Sequence, residues 1–123
     1  MEFDISHAHR GEWTVVAVSG DVDMATGPGL RDDLLGILAA GSKRIVLDLS
    51  GVTFMDSSGL GAVIGTYRRA RLLQADMRLA APSERVVEIL RLTNLHRVFV
   101  LHATVADAAA DDGGEVRRPE GVD

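Results

Sequence analysis

The sequence predicts a mixed α/β sheet of a single small domain, and three observations carry that reading. Segments rich in β-branched residues alternate with segments whose apolar residues recur at helical spacing. Their order is β-β-α-β-α-β-α-β-α, and alternating strands and helices favour parallel pairing with right-handed crossovers. The first two strands are joined by a short turn, so this pair is expected to be an antiparallel hairpin at one side of a largely parallel sheet.

Along the chain, Phe3-Asp4-Ile5-Ser6 alternates apolar and polar residues, as a half-buried strand does. Arg10-Gly11-Glu12 supplies a turn. Trp13 to Ser19 (WTVVAVS) is a second strand, after which Gly20-Asp21-Val22-Asp23 is expected to leave the sheet. A helix follows, with Thr26 as N-cap and Pro28 in the first turn, where a missing N–H costs nothing. Leu30, Leu34, Ile37 and Leu38 mark its inner face and Gly41 its stop. Ile45 to Leu49 (IVLDL) is a buried central strand. Leu60, Val63, Ile64 and Tyr67 define one face of a second helix, running to about Leu73. Met77 to Ala80 is a short strand. Pro82-Ser83 opens a third helix with Val86, Val87 and Leu90 inward. Arg97 to Leu101 (RVFVL) is the last strand, and Thr104 caps a short final helix. Beyond Ala110 the sequence DDGGEVRRPEGVD loses apolar periodicity, which predicts a domain over residues 1–110 and a disordered tail over 111–123.

Composition narrows function. The 123 residues are 46% hydrophobic and 25% charged, with a formal net charge of −5. That charge repels nucleic acid and anionic membranes, so neither is expected as a partner. The absence of cysteine excludes disulfides, thiolate metal sites and cysteine nucleophiles. The polar start lacks the apolar core of a signal peptide, and no apolar run is long enough to span a bilayer. A cytoplasmic protein is the expectation.

The segment with most chemistry is Phe54 to Gly61, FMDSSGLG. Gly59-x-Gly61 with Gly65 approaches a dinucleotide fingerprint. However, the third glycine is displaced, Ser50 to Ser58 intervenes after IVLDL, and Asp76 precedes rather than ends the next strand. A hydrolase elbow needs glycine two residues before the nucleophile, and Met55 stands there for Ser57. His7, His9, His96 and His102 have no recognisable catalytic context. His7 and His9 could share one side of an extended segment and chelate a metal, but they lack a third ligand, so no metal site is expected. The remaining reading makes Ser57 or Ser58 the helix N-cap, its hydroxyl exposed near free N–H groups and the positive end of the helix dipole. Such a serine is either an ordinary cap or a phosphorylation switch, with Asp56 adjacent and Asp21 and Asp23 nearby. Gly61 and Gly65, one turn apart, suit close packing or a smooth docking surface equally. Met24 and Met55 suit a core or an interface.

The stretch VTFMDSSGLGAVIG (Val52 to Gly65), with Gly20-Asp21-Val22-Asp23 and RLTNLHRVFVLH (Arg91 to His102), resembles the STAS domain family, specifically the stand-alone bacterial anti-sigma factor antagonists. The resemblance runs from about Phe3 to Ala110. It implies a non-enzymatic protein that, unphosphorylated, binds an anti-sigma factor that is usually also a serine kinase, releasing a sigma factor. It implies phosphorylation on the serine directly after the aspartate, which is Ser57, with Ser58 the weaker candidate, and reversal by a metal-dependent (PP2C-type) phosphatase. Partner contact is implied around Asp21, Asp23, Met24, Asp56, Ser58, Gly59, Leu60 and Gly61. Asp21 stands where glutamate is more usual, and Asn94 where glycine is common. The alternative within the fold is a STAS subunit of another assembly, such as a signalling complex or a lipid-transport system.

Overall fold

The computed structural model describes residues 3–110. The tail expected over 111–123 lies outside the described residues. Five strands form one sheet in the order β1 (Phe3–Arg10), β2 (Trp13–Val22), β3 (Arg44–Met55), β4 (Asp76–Ala80), β5 (Leu101–His102). β1 and β2 are antiparallel; all other pairs are parallel. The helices are α1 (Gly27–Ala39), α2 (Ser57–Leu72), α3 (Glu84–Leu92) and α4 (Val105–Ala108). The expected fold class and element order are therefore present.

The sheet is covered on both faces by alternating residues. Val16, Val18, Ile45, Leu47, Leu49, Met77 and Leu79 point to the face packed by α1, α2 and α3. Leu30, Leu34 and Leu38 come from α1, Val63 and Tyr67 from α2, and Val86 and Leu90 from α3. Full burial of each such aliphatic side chain contributes about 1.5–3 kcal/mol, so this larger layer dominates stability. Trp13, Val15, Val46 and Ala80 face the opposite side, where α4 supplies Ala108. There Arg78 is buried yet compensated. It donates to the Ala108 carbonyl and the Asp76 carboxylate, each at 3.0 Å, and its guanidinium lies 4.5 Å from the Trp13 ring centroid.

Several boundaries differ from the sequence expectation, each because main-chain pairing continues where side-chain pattern stops. β1 reaches Arg10 although its residues beyond Ile5 are exposed, because the hairpin pairs Arg10 with Trp13. Gly11, with φ +62, makes the tight turn. β2 does not leave the sheet at Gly20. It runs to Val22, paired with Met55 of β3, across two register irregularities. β3 likewise runs past Leu49 to Met55, so no loop stands between strand and helix. Arg97 to Leu101 is not a strand. Leu95–Arg97 is a 3₁₀ turn, and pairing is confined to Leu101 and His102. Phe99 is instead drawn into the core, edge-on to Tyr67 with ring centroids 4.8 Å apart, while the Tyr67 hydroxyl donates to the Val98 carbonyl at 3.1 Å. Val87 is only half-buried. The caps at Ser83 and Thr104 are as expected: each side chain accepts from the third residue on, Val86 and Asp107. Asn94 adopts the left-handed conformation at φ 63.

One contact sets where α2 begins. A Cβ on Gly59 would lie 2.1 Å from the Val22 carbonyl oxygen, so the first turn of α2 sits directly on the end of β2. Gly61, two residues on, has nothing within 4 Å of the same position. Gly59→Ala is therefore expected to destabilise by about 1–3 kcal/mol through overpacking. Gly61→Ala is expected to stabilise by roughly 0.5–1 kcal/mol, the ordinary gain of alanine in a helix. Urea unfolding midpoints of the two variants check both signs.

Candidate functional site

The site is built where the parallel strands β2 and β3 end side by side. Asp21 is paired with Phe54 and Val22 with Met55, so the chain leaves both strands at the same end of the sheet. After β2 it turns through Asp23 into α1; after β3 it enters α2 through Asp56. The two helix starts are in close approach. A Cβ on the buried Gly27 would meet the Ser58 carbonyl at 3.4 Å and the Gly59 Cα at 3.7 Å.

The N-cap of α2 is neither serine. It is Asp56, in an extended conformation, whose Oδ1 accepts from the Gly59 N–H at 3.0 Å. The Asp56 N–H in turn donates to the Val22 carbonyl at 3.3 Å, and its carbonyl accepts from Leu60 at 2.9 Å. Asp side chains are as good at this position as Ser, and a charged cap also meets the helix dipole. Ser57 and Ser58 thereby become the first two helical residues. Both are exposed, and neither hydroxyl is tied to another described residue. The cap aspartate does the structural work, so the serine beside it is free of it.

The other carboxylates are held by their neighbours. Asp23 Oδ1 accepts from the N–H groups of Ala25 and Thr26, at 2.9 and 3.1 Å. Thr26 donates its hydroxyl to the Asp21 carbonyl at 2.7 Å and accepts from the Asp23 N–H at 2.9 Å. Thr26 flanks α1 as expected, but its hydroxyl braces the preceding turn rather than capping the helix. Asp21 Oδ1 accepts from the Thr53 hydroxyl at 2.9 Å. Asp21 and Asp23 are half-buried at the same edge, each held in place.

Of the remaining residues singled out in the sequence, the structure separates surface from core. Met24 is 76% exposed, whereas Met55 is buried. Gly61 is exposed and open; Gly59 and Leu60 are buried, Gly59 against β2 and Leu60 in the main core. Gly59 and Leu60 thus shape the turn from beneath, whereas Met24, Ser58 and Gly61 stand exposed. Residues not singled out also line the site. Met24, Gly27, Pro28 and Arg31 from the α1 side face Ser58, Gly61 and Gly65 from α2 across a shallow groove of ≈ 430 Å³. Pro28 and Arg31 join the site only because α1 packs on α2, which no local pattern encodes. The exposed Phe54 beside Asp21 is a further apolar group at this edge.

The rival chemistries are also clearer. β3 feeds straight into the cap, so the supposed intervening segment does not argue against a dinucleotide turn. The packing of Gly59 does: its bare Cα faces the Val22 carbonyl rather than an open phosphate site. His7 is engaged by Asp33 of α1 at 2.7 Å. No group of three or more potential metal ligands occurs among the described residues, and no described helix is long and apolar enough to cross a membrane.

Comparison with known proteins agrees with this architecture. The chain is 27% identical over 95 residues to the anti-sigma-B factor antagonist of Staphylococcus aureus, covering 77% of this chain and 88% of that protein. It is 28% identical over 88 residues to the Bacillus subtilis anti-sigma-B factor antagonist, covering 72% and 80%. The crystal structure of an anti-sigma factor antagonist from Mycobacterium paratuberculosis superposes with a TM-score of 0.79 at 29% identity, covering 87% of this chain and 91% of that one. The STAS domain sequence model matches residues 4–108, nearly all of the described structure, and the chain therefore belongs to the STAS domain family.

Proposed function

We propose that this protein is an anti-sigma factor antagonist switched by phosphorylation of Ser57. The observation that carries the reading is the division of labour at the start of α2. Asp56 caps the helix, which leaves Ser57 exposed and uncommitted at the first helical position. The relatives named as anti-sigma factor antagonists support the antagonist role.

In the unphosphorylated form, the groove beside Ser58 offers Met24 and the open backbone of Gly61 to an anti-sigma factor. An adaptable thioether and a side-chain-free helix face admit close approach at small desolvation cost. The partner binds here in place of a sigma factor, which is thereby released. Its serine kinase activity transfers the γ-phosphoryl of ATP to Ser57 Oγ, and ADP leaves. The new group brings about −1.5 to −2 charges to an edge that already holds Asp21, Asp23 and Asp56. The surface the partner recognised is then altered in charge and hydration, and the complex dissociates. A PP2C-type phosphatase restores it. The protein itself catalyses nothing in this cycle and works in the cytoplasm, where its partners are.

Ser57 rather than Ser58 is the acceptor because Ser58 lines the groove, where the partner's surface covers it. Incubation with the anti-sigma factor kinase of the native cell and ATP is expected to add one phosphate. Mass spectrometry of Ser57→Ala should show none, and Ser58→Ala should still be labelled. Labelling that disappears in Ser58→Ala and persists in Ser57→Ala reverses the assignment.

The groove reading predicts a separate effect. Gly61→Gln keeps the helix but fills the open surface. Calorimetry should show affinity for the anti-sigma factor falling about tenfold or more, as for a loss of interface fit worth ~1.4 kcal/mol. The thermal midpoint should not fall. Unchanged affinity places the contact elsewhere.

A further inference from the structure

We propose that the basic end of the seam between α1 and α2 is a docking site for an acidic amphipathic helix of a partner protein. The seam runs from the Ser58 groove towards the far ends of both helices. There it forms a second groove of ≈ 480 Å³, whose lining includes Arg31, Leu35, Arg68, Arg69, Leu72 and Leu73. Gly65 and Arg31 belong to both grooves, so the two are continuous. The proposal does not depend on Ser57 or its modification.

Two features of this end are costly without a partner. Leu72, the last residue of α2, is 76% exposed and Leu73, its C-cap, 37%, whereas the other large apolar residues of the helix face the core. Three guanidiniums also gather here with no carboxylate in the groove lining, on a chain of net charge −5. Among the described residues, Arg31, Arg68 and Arg69 form no ion pair. Clustered like charges repel, and Arg presents a planar fork that suits carboxylates. The surface thus asks for leucine-like side chains flanked by Glu or Asp, at the spacing of a helix laid between two helices.

Charge and shape select this occupant over others. A second copy meeting the same patch across a two-fold axis would set arginines against arginines. An anionic bilayer is opposed by the net charge of the chain.

The test uses the whole protein and a synthetic helical peptide with leucines at i, i+3, i+4 and i+7 and glutamates between them. In ¹⁵N NMR titration, shifts should concentrate on Arg31, Gly65, Arg68, Arg69 and Leu72. Affinity should fall about tenfold in Arg68→Glu/Arg69→Glu and fall again with added salt. A peptide with lysines in place of the glutamates should not bind. Arg68→Gln/Arg69→Gln, which removes charge without reversing it, guards against a folding defect and should give an intermediate loss. The proposal is overturned if the glutamate peptide fails to bind, if its shifts fall outside the seam, or if the lysine peptide or the Glu variant binds equally well. It is likewise overturned if phosphatidylglycerol vesicles bind the seam in place of the peptide, or if the protein dimerises through Leu72 at NMR concentrations.

Discussion

The bare Cα of Gly59 against the carbonyl of Val22 is the constraint on which the rest of the site depends. Any side chain at position 59 would lie 2.1 Å from that oxygen. With glycine there, the first turn of α2 rests on the end of β2, and Asp56 comes within reach of the Val22 carbonyl. The buried Gly27 extends the same logic to α1, whose start lies on the Ser58–Gly59 backbone. Two helix N-termini and two strand ends are thus locked together by close backbone contacts, without a large side chain between them. What projects from this packed junction includes two serines, an open glycine and the exposed Met24 and Phe54.

Such a junction suits the proposed switch, because the structural bonds fall on residues other than the exposed Ser57. Asp56 takes the capping bond and Thr26 braces the turn before α1. Asp23 organises that turn and Asp21 ties to Thr53. Ser57 is left exposed, so a modification there perturbs the surface before it perturbs the fold. A serine that were itself the cap would lose about 1 kcal/mol of helix stability on losing its bond. Placing the cap one residue earlier avoids coupling the signal to that loss.

Much of this was legible in the sequence. The alternation of periods gave the element order and the mixed sheet, and the turn chemistry at Gly41, Ser83 and Thr104 placed real boundaries. What was not legible depended on partners distant in sequence. Strand continuation through Gly20 to Val22 and Ser50 to Met55 follows from two strands pairing with each other, though neither looks like a strand alone. Phe99 left its apparent strand because Tyr67 was available to pack on it. The cap was misassigned to the serines because Asp and Ser cap equally well, and only the length of β3 decides between them. In the same way, FMDSSGLG announced a special turn, but Pro28 and Arg31 joined it through helix packing alone.

The proposed switch requires that charge placed on Ser57 abolish recognition of a partner at the groove. Its most direct test is a calorimetric titration of the anti-sigma factor with unphosphorylated protein and with protein phosphorylated stoichiometrically on Ser57. Phosphorylation is expected to weaken binding by about a hundredfold or more, with the α2 cap and the fold intact by NMR. Equal affinity of the two forms would contradict it.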